Sequence, residues 1–285
     1  MPSTDITAGP WAVHRTVYHA DRQCQSCSGL KDFQRSRPLY HGRHVTGTIP
    51  SKSTPAMQIG TVAHLMVFEP WKVPQEVALI PEGTERRSKA GKAAWAAFCL
   101  ANDGKLLLDA DDMAKCRRMA DAVRSHKLAR TALEVPGAKG EYPIRWRDDV
   151  SGLWVRNLID YYAPASGFLM DLKTTSDPAP WAFAAQADTL GYHLQAALYK
   201  RGAWEAMRFD GEFLFIAVGS EEPHEVVCSV LGERTLAVAR KINQALLNEL
   251  SDCLRSGDWS SRYADAVQEI DLPNYSLVRQ EREYE

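Results

Sequence analysis

The sequence predicts an α/β fold in which helices flank a central mixed β-sheet. Three observations predict it. Helical signals dominate the chain up to about residue 132, and two runs that alternate at period two then form a β-hairpin. The rest of the chain alternates between short apolar strands and long amphipathic helices, the pattern of helices packed on a sheet. With 285 residues, the chain can bury a sizeable core.

The composition places the chain among ordinary globular proteins. Hydrophobic residues make up 45% and charged residues 25%, which excludes disordered and fibrous classes. The longest apolar runs, 62–68 and 213–218, are far shorter than the roughly 18–20 residues of a membrane helix. The first residues lack the features of a secretion signal, and the scattered cysteines fit a reducing compartment. We therefore expect a cytoplasmic protein without a membrane partner.

Charge is distributed unevenly, although the formal net charge is only −2. Residues 1–60 carry seven Lys and Arg against three Asp, whereas residues 265–285 carry six acids and two Arg. A near-neutral total argues against a wholly basic nucleic-acid coat. The basic N-terminal part either faces a polyanion or is an ordinary solvated surface.

The first half of the chain carries mainly helical signals. We interpret residues 1–53 as an arm with a short helix near 28–33. Thr54 and Pro55 supply the N-cap and first position of a buried helix that reaches Phe68 and ends before Pro70. Within the helical part, 54–135, further helices are predicted over 88–102 and 109–132.

The second half carries the sheet. Within 136–255 we predict strands at 141–146, 153–162, 168–174, 213–218 and 225–230, and helices at 179–207 and 233–255. Residues 256–285 form a tail. Because no linker or repeat divides the sequence, we predict a single domain spanning 1–285.

The candidate chemistry is concentrated on two strands. Asp171 and Lys173 lie two residues apart on a strand, so their side chains project from the same face. Asp160 ends an apolar run on the preceding strand, which we expect to be the neighbour. Two carboxylates brought together repel unless a divalent cation joins them, and oxygen ligands suit Mg²⁺ or Mn²⁺. Lys173 would then orient or deprotonate a metal-activated water, or offset charge at phosphorus.

A bland alternative exists for this pair. Asp-x-Lys also occurs at residues 103–105, in what we interpret as a polar turn, and an isolated Asp171–Lys173 pair would be an ordinary surface ion pair. The helix that follows favours a site, because Tyr192, Gln195 and Tyr199 share one of its faces.

Taken together, these residues resemble the PD-(D/E)xK nuclease superfamily, and within it the RecE-type recombination exonucleases, which are related to lambda exonuclease. The similarity covers most of the chain in a constant order. Its stretches are Tyr18-His19-Ala20, Ser26-x-Ser28-x-Leu30, Gly60-Thr61-x-x-His64, Glu69-Pro70, Arg86-Arg87-x-x-Ala90-Gly91-Lys92, Asp171-x-Lys173-Thr174-Thr175 and Tyr192-His193-x-Gln195.

The resemblance implies a role for each matching residue. His64, Asp160 and Asp171 would bind the metal, and Lys173 would be the catalytic lysine. The remaining site residues are Glu141 beside the active site, and Tyr192 and Gln195 near the scissile phosphate. Three alternatives stay open: a core histidine at 64, a surface glutamate at 141, and helix packing for Tyr192, Gln195 and, above all, Tyr199.

Three further residues match the segment that holds the 5′-phosphate of a DNA end. They are Ser26 and Ser28, with Arg22 as the nearest basic neighbour; an arm arginine exposed to solvent is the alternative for Arg22. The sequence departs from the family at Ile159, where a proline usually precedes the first metal aspartate. Cys24 and Cys27 lack the partners of an iron–sulfur cluster, and we interpret them as structural or incidental.

The implied activity is that of a Mg²⁺-dependent 5′-to-3′ exonuclease, with Mn²⁺ as a substitute, acting on linear double-stranded DNA ends. The 3′ single-stranded tails would pass to an annealing protein of RecT type during recombination. The resemblance also implies a homo-oligomeric ring of three or four subunits and a bacterial or phage origin. The alternatives are an inactive DNA-end-binding scaffold and an endonuclease of the same fold.

Overall fold

The computed structural model describes residues 6–13, 15–51, 53–263 and 267–284. Those parts of the expected arm and tail that fall elsewhere lie outside the described residues. The strands are β1 Gly9–Pro10, β2 Cys24–Ser26, β3 Val77–Leu79, β4 Leu106–Leu108, β5 Lys139–Arg147, β6 Trp154–Ala163, β7 Phe168–Thr175, β8 Glu212–Gly219 and β9 Val226–Ser229.

The helices cover both ends and the middle of the chain. They are α1 Arg15–Ala20, α2 Cys27–Arg35, α3 Arg37–Tyr40, α4 Pro55–Phe68, α5 Val73–Glu76, α6 Lys89–Ala101, α7 Ala110–Ser125, α8 Lys127–Leu133, α9 Pro180–Thr189, α10 Tyr192–Met207, α11 Glu233–Ser256 and α12 Asn274–Tyr284. A π-helical turn follows α3, and 3₁₀ turns lie at 70–72 and 164–166. None of these helices combines the length and apolar character needed to cross a membrane.

A mixed, mostly antiparallel sheet forms the centre of the fold. Its strand order is β1-β5-β6-β7-β8-β9, and β2 pairs with β6 beside this path. The pairs β7–β8 and β2–β6 are parallel, whereas the other pairs are antiparallel. This arrangement confirms the predicted mixed sheet, and the pairing of β6 with β7 confirms that the Asp160 and Asp171 strands are neighbours.

Helices cover both faces of the sheet, and β8 shows why its sequence is apolar throughout. Phe213 and Phe215 of β8 pack in a cluster with residues of α2, α10 and α11. Leu214 and Ile216 point the other way, into a cluster formed with α4 and α7. A strand buried on both faces has no polar side, so it reads as a continuous apolar run.

Several predicted boundaries are confirmed. The Thr54 hydroxyl accepts a hydrogen bond from the Met57 amide at 3.2 Å, so it is the N-cap of α4. The hairpin of β5 and β6 and the helix α11 also lie where the sequence pattern places them.

Other predictions were wrong. The single helix expected over 179–207 is two helices, α9 and α10, separated at Gly191, which adopts a left-handed φ of 65°. The helix expected over 109–132 is likewise divided, at His126, whose side chain caps α8. The residues 1–53 are more than an arm, because β1 and β2 join the sheet. Strands of two or three residues carry too little periodicity to be recognised in a sequence.

Candidate active site

Three neighbouring strands place three acidic residues in one row. The strand pairs on either side place Glu141 of β5 beside Asp160 of β6, and both side chains line one cleft. The register of β6 with β7, continued by one residue, puts Asp171 opposite Asp160. Side chains directly opposite each other in an antiparallel pair share a face of the sheet. Strand pairing thus brings Glu141, Asp160 and Asp171 close together although they are distant in the sequence.

Helix α4 brings a histidine to this row. The His64 Nε2 atom lies 3.3 Å from Asp160 Oδ2, and its ring packs edge-on against Phe68. Gly60 lets the helix approach the sheet closely, since a Cβ atom at that position would lie 3.2 Å from the Thr174 hydroxyl oxygen of β7. The prediction that His64 and Asp160 come together is therefore consistent with this geometry.

Lys173 and Gln195 complete the cluster around Asp171. The Lys173 Nζ atom lies 2.5 Å from Asp171 Oδ2 and donates to Gln195 Oε1 at 3.2 Å. The Gln195 amide in turn donates to Asp171 Oδ1 at 2.7 Å. The ammonium also lies 4.6 Å from the centre of the Tyr192 ring. The lysine is thus held on three sides by residues that stand out in the sequence.

The two central carboxyls have opposite protonation preferences. Burial and the nearby charge of Asp160 raise the pKa of Asp171 to about 7, although Lys173 opposes the rise. Burial would also raise the pKa of Asp160, but His64, Lys173 and a hydrogen bond with Asp171 outweigh it, so this pKa is lowered. Below about pH 7 the pair therefore holds one proton, and Asp171 is its carrier.

The basic groups respond to the same carboxylates. Burial would lower the pKa values of His64 and Lys173, yet Asp160 and Asp171 raise both. Lys173 therefore remains a protonated ammonium at neutral pH.

The donor set fits a hard divalent cation. Asp171 Oδ2 and His64 Nε2 are buried, and their close neighbours are the ion-pair partners Lys173 and Asp160. Carboxylate oxygens with an imidazole are ligands that Mn²⁺ and Mg²⁺ accept. Within the described ranges, no group of three or more His, Cys, Asp or Glu side chains has metal-site spacing. Asp171 instead contacts Lys173 and shares a proton with Asp160, and a cation would have to replace those contacts.

The row opens into a cleft of about 490 Å³, lined by His64, Glu141, Asp160, Lys173 and Tyr192 among others. A second cavity of about 460 Å³ adjoins it, and Asp160 lines both. The second cavity is also lined by Gln195 and by the three residues expected to bind a 5′-phosphate, Arg22, Ser26 and Ser28.

In this second cavity, Ser26 has a structural role as well. Its hydroxyl accepts from the Gly29 amide at 3.1 Å and so caps α2, while Ser28 Oγ lies 3.1 Å from Ser26 Oγ. Arg22 donates from Nη1 to the carbonyl oxygens of residues 43 and 44, at 3.0 and 2.9 Å. Arg22 therefore stabilises the backbone at residues 43 and 44, which lines this cavity.

Arg156, which sequence patterns did not single out, lines the same cavity and is only 7% exposed. Its guanidinium lies 5.0 Å from the Tyr18 ring centre and 3.5 Å from Asp21 Oδ2, and its Nε is buried without a hydrogen-bond partner. The signal that could have revealed it is an arginine inside the apolar, alternating run of β6.

Three other residues that stand out in the sequence have structural surroundings. Tyr199 is buried and packs edge-on against Phe213, as helix packing predicts. Cys24 and Cys27 are free and buried, and burial raises the pKa of both thiols, that of Cys24 to about 12. Such thiols are poor nucleophiles and fit a structural role.

The sequence matches the family model of a PDDEXK-like domain of unknown function (DUF3799) over residues 26–271. No curated protein matches it. Among solved structures, it is similar to a protein from Eubacterium rectale described as a "Putative exonuclease", with a TM-score of 0.61 and 12% identity. The match covers 94% of this chain and 98% of the other, and at this identity it establishes the fold.

Proposed function

The chain belongs to the family of PDDEXK-like domains of unknown function (DUF3799), and on that premise we propose that it is a Mg²⁺-dependent 5′-to-3′ exonuclease of RecE type. One observation carries the proposal. The cluster of Asp160, Asp171, Lys173 and Gln195 borders a cavity whose other wall carries Ser26 and its neighbours, the residues expected at a DNA 5′-phosphate. A cutting centre next to an end-binding cavity suits removal of terminal nucleotides.

His64, Asp160 and Asp171 would hold the cation. When bound, Mg²⁺ supplies Lewis-acid polarisation of the phosphate and a water that ionises more easily. Mn²⁺, which accepts the same ligands, would substitute.

Lys173 acts as a fixed positive charge in this proposal. Its raised pKa favours donating hydrogen bonds and offsetting charge that develops on the phosphate oxygens, over removing a proton from water. Gln195 holds both Lys173 and Asp171, so it keeps the charge aimed at one point. Tyr192 forms the wall beneath the ammonium.

The second cavity supports recognition of a DNA end. Ser26 and Ser28 lie at the N-terminus of α2, where backbone amides and the helix dipole favour an anion. Arg156 adds a buried positive charge, and Arg22 orders the wall. We propose that the 5′-phosphate enters here while the first phosphodiester lies at Asp160.

We further propose that the protein works as a homo-oligomeric ring of three or four subunits and delivers 3′ tails to an annealing protein of RecT type in recombination. The similarity of the sequence motifs to RecE-type enzymes supports this. Light scattering after size-exclusion chromatography would measure the subunit number, and a monomer at working concentrations would contradict the ring.

The decisive experiment uses linear, 5′-phosphorylated duplex DNA labelled at one 5′ end, with Mg²⁺. We expect the labelled end to be released as a mononucleotide at the start of the reaction. Asp171→Asn and Lys173→Met should reduce the rate by at least about 10²-fold. Lys105→Met is the matched control, because it alters the other Asp-x-Lys triplet, at a turn between α6 and β4.

Each contrary result has a distinct meaning. Early loss of a 3′ label would reverse the polarity, and cleavage of closed circles would indicate an endonuclease. Binding to DNA ends without any Mg²⁺-dependent product would leave an inactive scaffold.

A further inference from the structure

We propose that Lys72 is a positioning residue for the active site: by pairing with Glu69 and Glu141 together, it holds the Glu141 carboxylate in the acidic row. This inference rests on the proposed function, since it concerns the same cation-binding row. Glu141 lies beside Asp160, between two recorded pairs of β5 and β6, and both residues line the same cleft as His64.

The contacts of Lys72 are close and largely shielded from water. Its Nζ atom lies 2.8 Å from Glu69 Oε1 and 3.2 Å from Glu141 Oε2. The side chains of the two glutamates are only 5% and 7% exposed. Two buried carboxylates this close to one ammonium depend on it, because an uncompensated buried charge is costly. Although burial lowers the pKa of Lys72, the two glutamates more than reverse this effect.

The end of α4 delivers Glu69 and Lys72 to the same side of the chain. The Glu69 amide still donates to the Leu65 carbonyl, at 2.8 Å, and Pro70 then starts a 3₁₀ turn. In that turn the Lys72 amide donates to the Glu69 carbonyl at 2.9 Å. Side chains three residues apart in a 3₁₀ turn lie one above the other, so the local sequence alone brings Glu69 and Lys72 into contact.

Two residues of β5, Gly140 and Glu141, fit closely against Glu69 and Lys72. A Cβ atom at Gly140 would lie 2.6 Å from Glu69 Cγ and 2.9 Å from Cδ, so a larger residue would push Glu69 away. Glu141 itself adopts a left-handed φ of 40°, which is rare for a residue other than glycine. Such a backbone conformation persists only where the surroundings impose it. The ion pair with Lys72, and the close approach of Glu69 to the preceding Gly140, are the surroundings that hold Glu141 in this conformation.

The two roles that Lys72 could have, a nearby positive charge or a contact that positions Glu141, predict opposite changes in cation affinity when Lys72 is removed. If its charge alone mattered, removal of a positive group near the row would strengthen cation binding. If Lys72 positions Glu141, its removal leaves two buried carboxylates that repel each other, Glu141 leaves the row or takes up a proton, and cation binding weakens. The sign of the change therefore separates the two accounts.

The test measures Mn²⁺ binding to the whole protein by calorimetry, without DNA. We expect Lys72→Met and Glu141→Gln each to weaken binding about 10-fold or more, the usual effect of losing a supporting partner at a metal site. The double variant should be no weaker than either single one. Lys72→Arg should restore most of the affinity. With DNA, we expect kcat at limiting Mg²⁺ to fall while KM for DNA stays unchanged.

Lys139→Met is the matched control. Lys139 lies on the same strand as Glu141, but its ammonium lies over the Tyr142 ring, 5.0 Å from the centre, so we expect unchanged Mn²⁺ affinity. Circular dichroism checks that each variant folds. If Lys72→Met does not fold, the single variants Lys72→Arg and Glu141→Gln still test the positioning role.

The positioning role is overturned if Lys72→Met binds Mn²⁺ as tightly as wild type or more tightly, if the two substitutions add, or if the wild type binds no Mn²⁺. If the expected affinity changes occur but wild type releases no nucleotide from DNA, only the exonuclease proposal fails. If wild type degrades DNA and Lys72→Met does so identically at limiting Mg²⁺, only the positioning role fails.

Discussion

In the proposed enzyme, the single residue Asp171 would link activity to stability. It is 1% exposed and faces the carboxylate of Asp160, so its ionised form is disfavoured in the folded protein. The same ionised form is the one that a cation needs. Residues that suit a reaction in this way commonly reduce the stability of the fold.

The stability of the metal-free protein should therefore depend on pH. The folded pKa of Asp171, about 7, lies above the ordinary value of 3.8 for an aspartate. Its contribution to stability is fully present below about pH 4 and is lost as the pH rises through 7. Relative to Asp171→Asn, the wild type should lose free energy of unfolding between about pH 4 and 7, by at most about 1.4 kcal/mol per pH unit.

Urea unfolding in the presence of EDTA at several pH values would measure this difference. A gap between wild type and Asp171→Asn that stays constant with pH would contradict the prediction. Added Mn²⁺ should stabilise the wild type increasingly as the pH rises, because the cation competes with the proton for the same oxygen atoms.

Substitution of the two serines at the start of α2 should distinguish a structural role from a role in binding. Ser26→Ala should lower the free energy of unfolding by about 1 kcal/mol, because it removes the N-cap contact with the Gly29 amide. Ser28→Ala should change it by less than about 0.5 kcal/mol, since its hydroxyl contacts that of Ser26 at an exposed position. Chemical denaturation measures both.

On DNA, we expect both substitutions to reduce the preference for 5′-phosphorylated over 5′-hydroxyl ends. Equal losses of stability would contradict the capping role of Ser26, and an unchanged preference in both variants would contradict the assignment of this helix end to the 5′-phosphate.

At the scale of elements, the position of α10 decides where Gln195 points. Gly202 of this helix faces β5 and β6, where a Cβ atom would overlap Asn157 Oδ1 and lie 2.7 Å from Trp146 Nε1. Those two side chains are fully buried and share a hydrogen bond of 2.9 Å. The glycine therefore lets the helix lie directly on the sheet.

Gly202→Ala should lower the free energy of unfolding by about 2 kcal/mol or more, since it overpacks the contact and disturbs a buried hydrogen bond. Gly232→Ala, at the start of α11, is the control: no atom lies within 4 Å of its added Cβ, and we expect a loss below about 1 kcal/mol. Thermal and urea unfolding would measure both. Similar losses in the two variants would show that α10 does not need the close approach.

At the scale of the whole molecule, Glu249 of α11 joins two distant parts of the described chain. It accepts from Arg37, at the start of α3, at 3.0 Å, and from Arg262, beyond the end of α11, at 2.9 Å. Trp259 stacks on Tyr40 in the same region. The start of the C-terminal segment, which was expected to be a simple tail, therefore packs against α2 and α3.

Glu249→Ala should lower the free energy of unfolding by about 1–2 kcal/mol, because it leaves two partly buried arginines without their acceptor. Glu233→Ala is the control on the same helix, where an exposed pair with Arg240 should contribute less than about 0.5 kcal/mol. Equilibrium unfolding compares them, and an equal effect would mean that these parts of the chain are not held through Glu249.

Much of the site could be predicted because its signals are local. Period two puts Asp171 and Lys173 on one face, helical spacing groups Tyr192 with Gln195, and Thr54-Pro55 starts the helix that carries His64. The division of the helix at Gly191 was missed, although a glycine there was visible, because an amphipathic pattern continues on both sides of it.

By itself, the sequence determined the α/β class and predicted a set of side chains suited to metal-dependent chemistry, because both depend on residues a few positions apart. Only the tertiary structure decided that Glu141 lies beside Asp160, that Arg156 lines the same cavity as Ser26, and that Lys72 reaches a glutamate 69 positions away. Such contacts depend on strand register and on how closely helices approach the sheet. No local pattern encodes those distances.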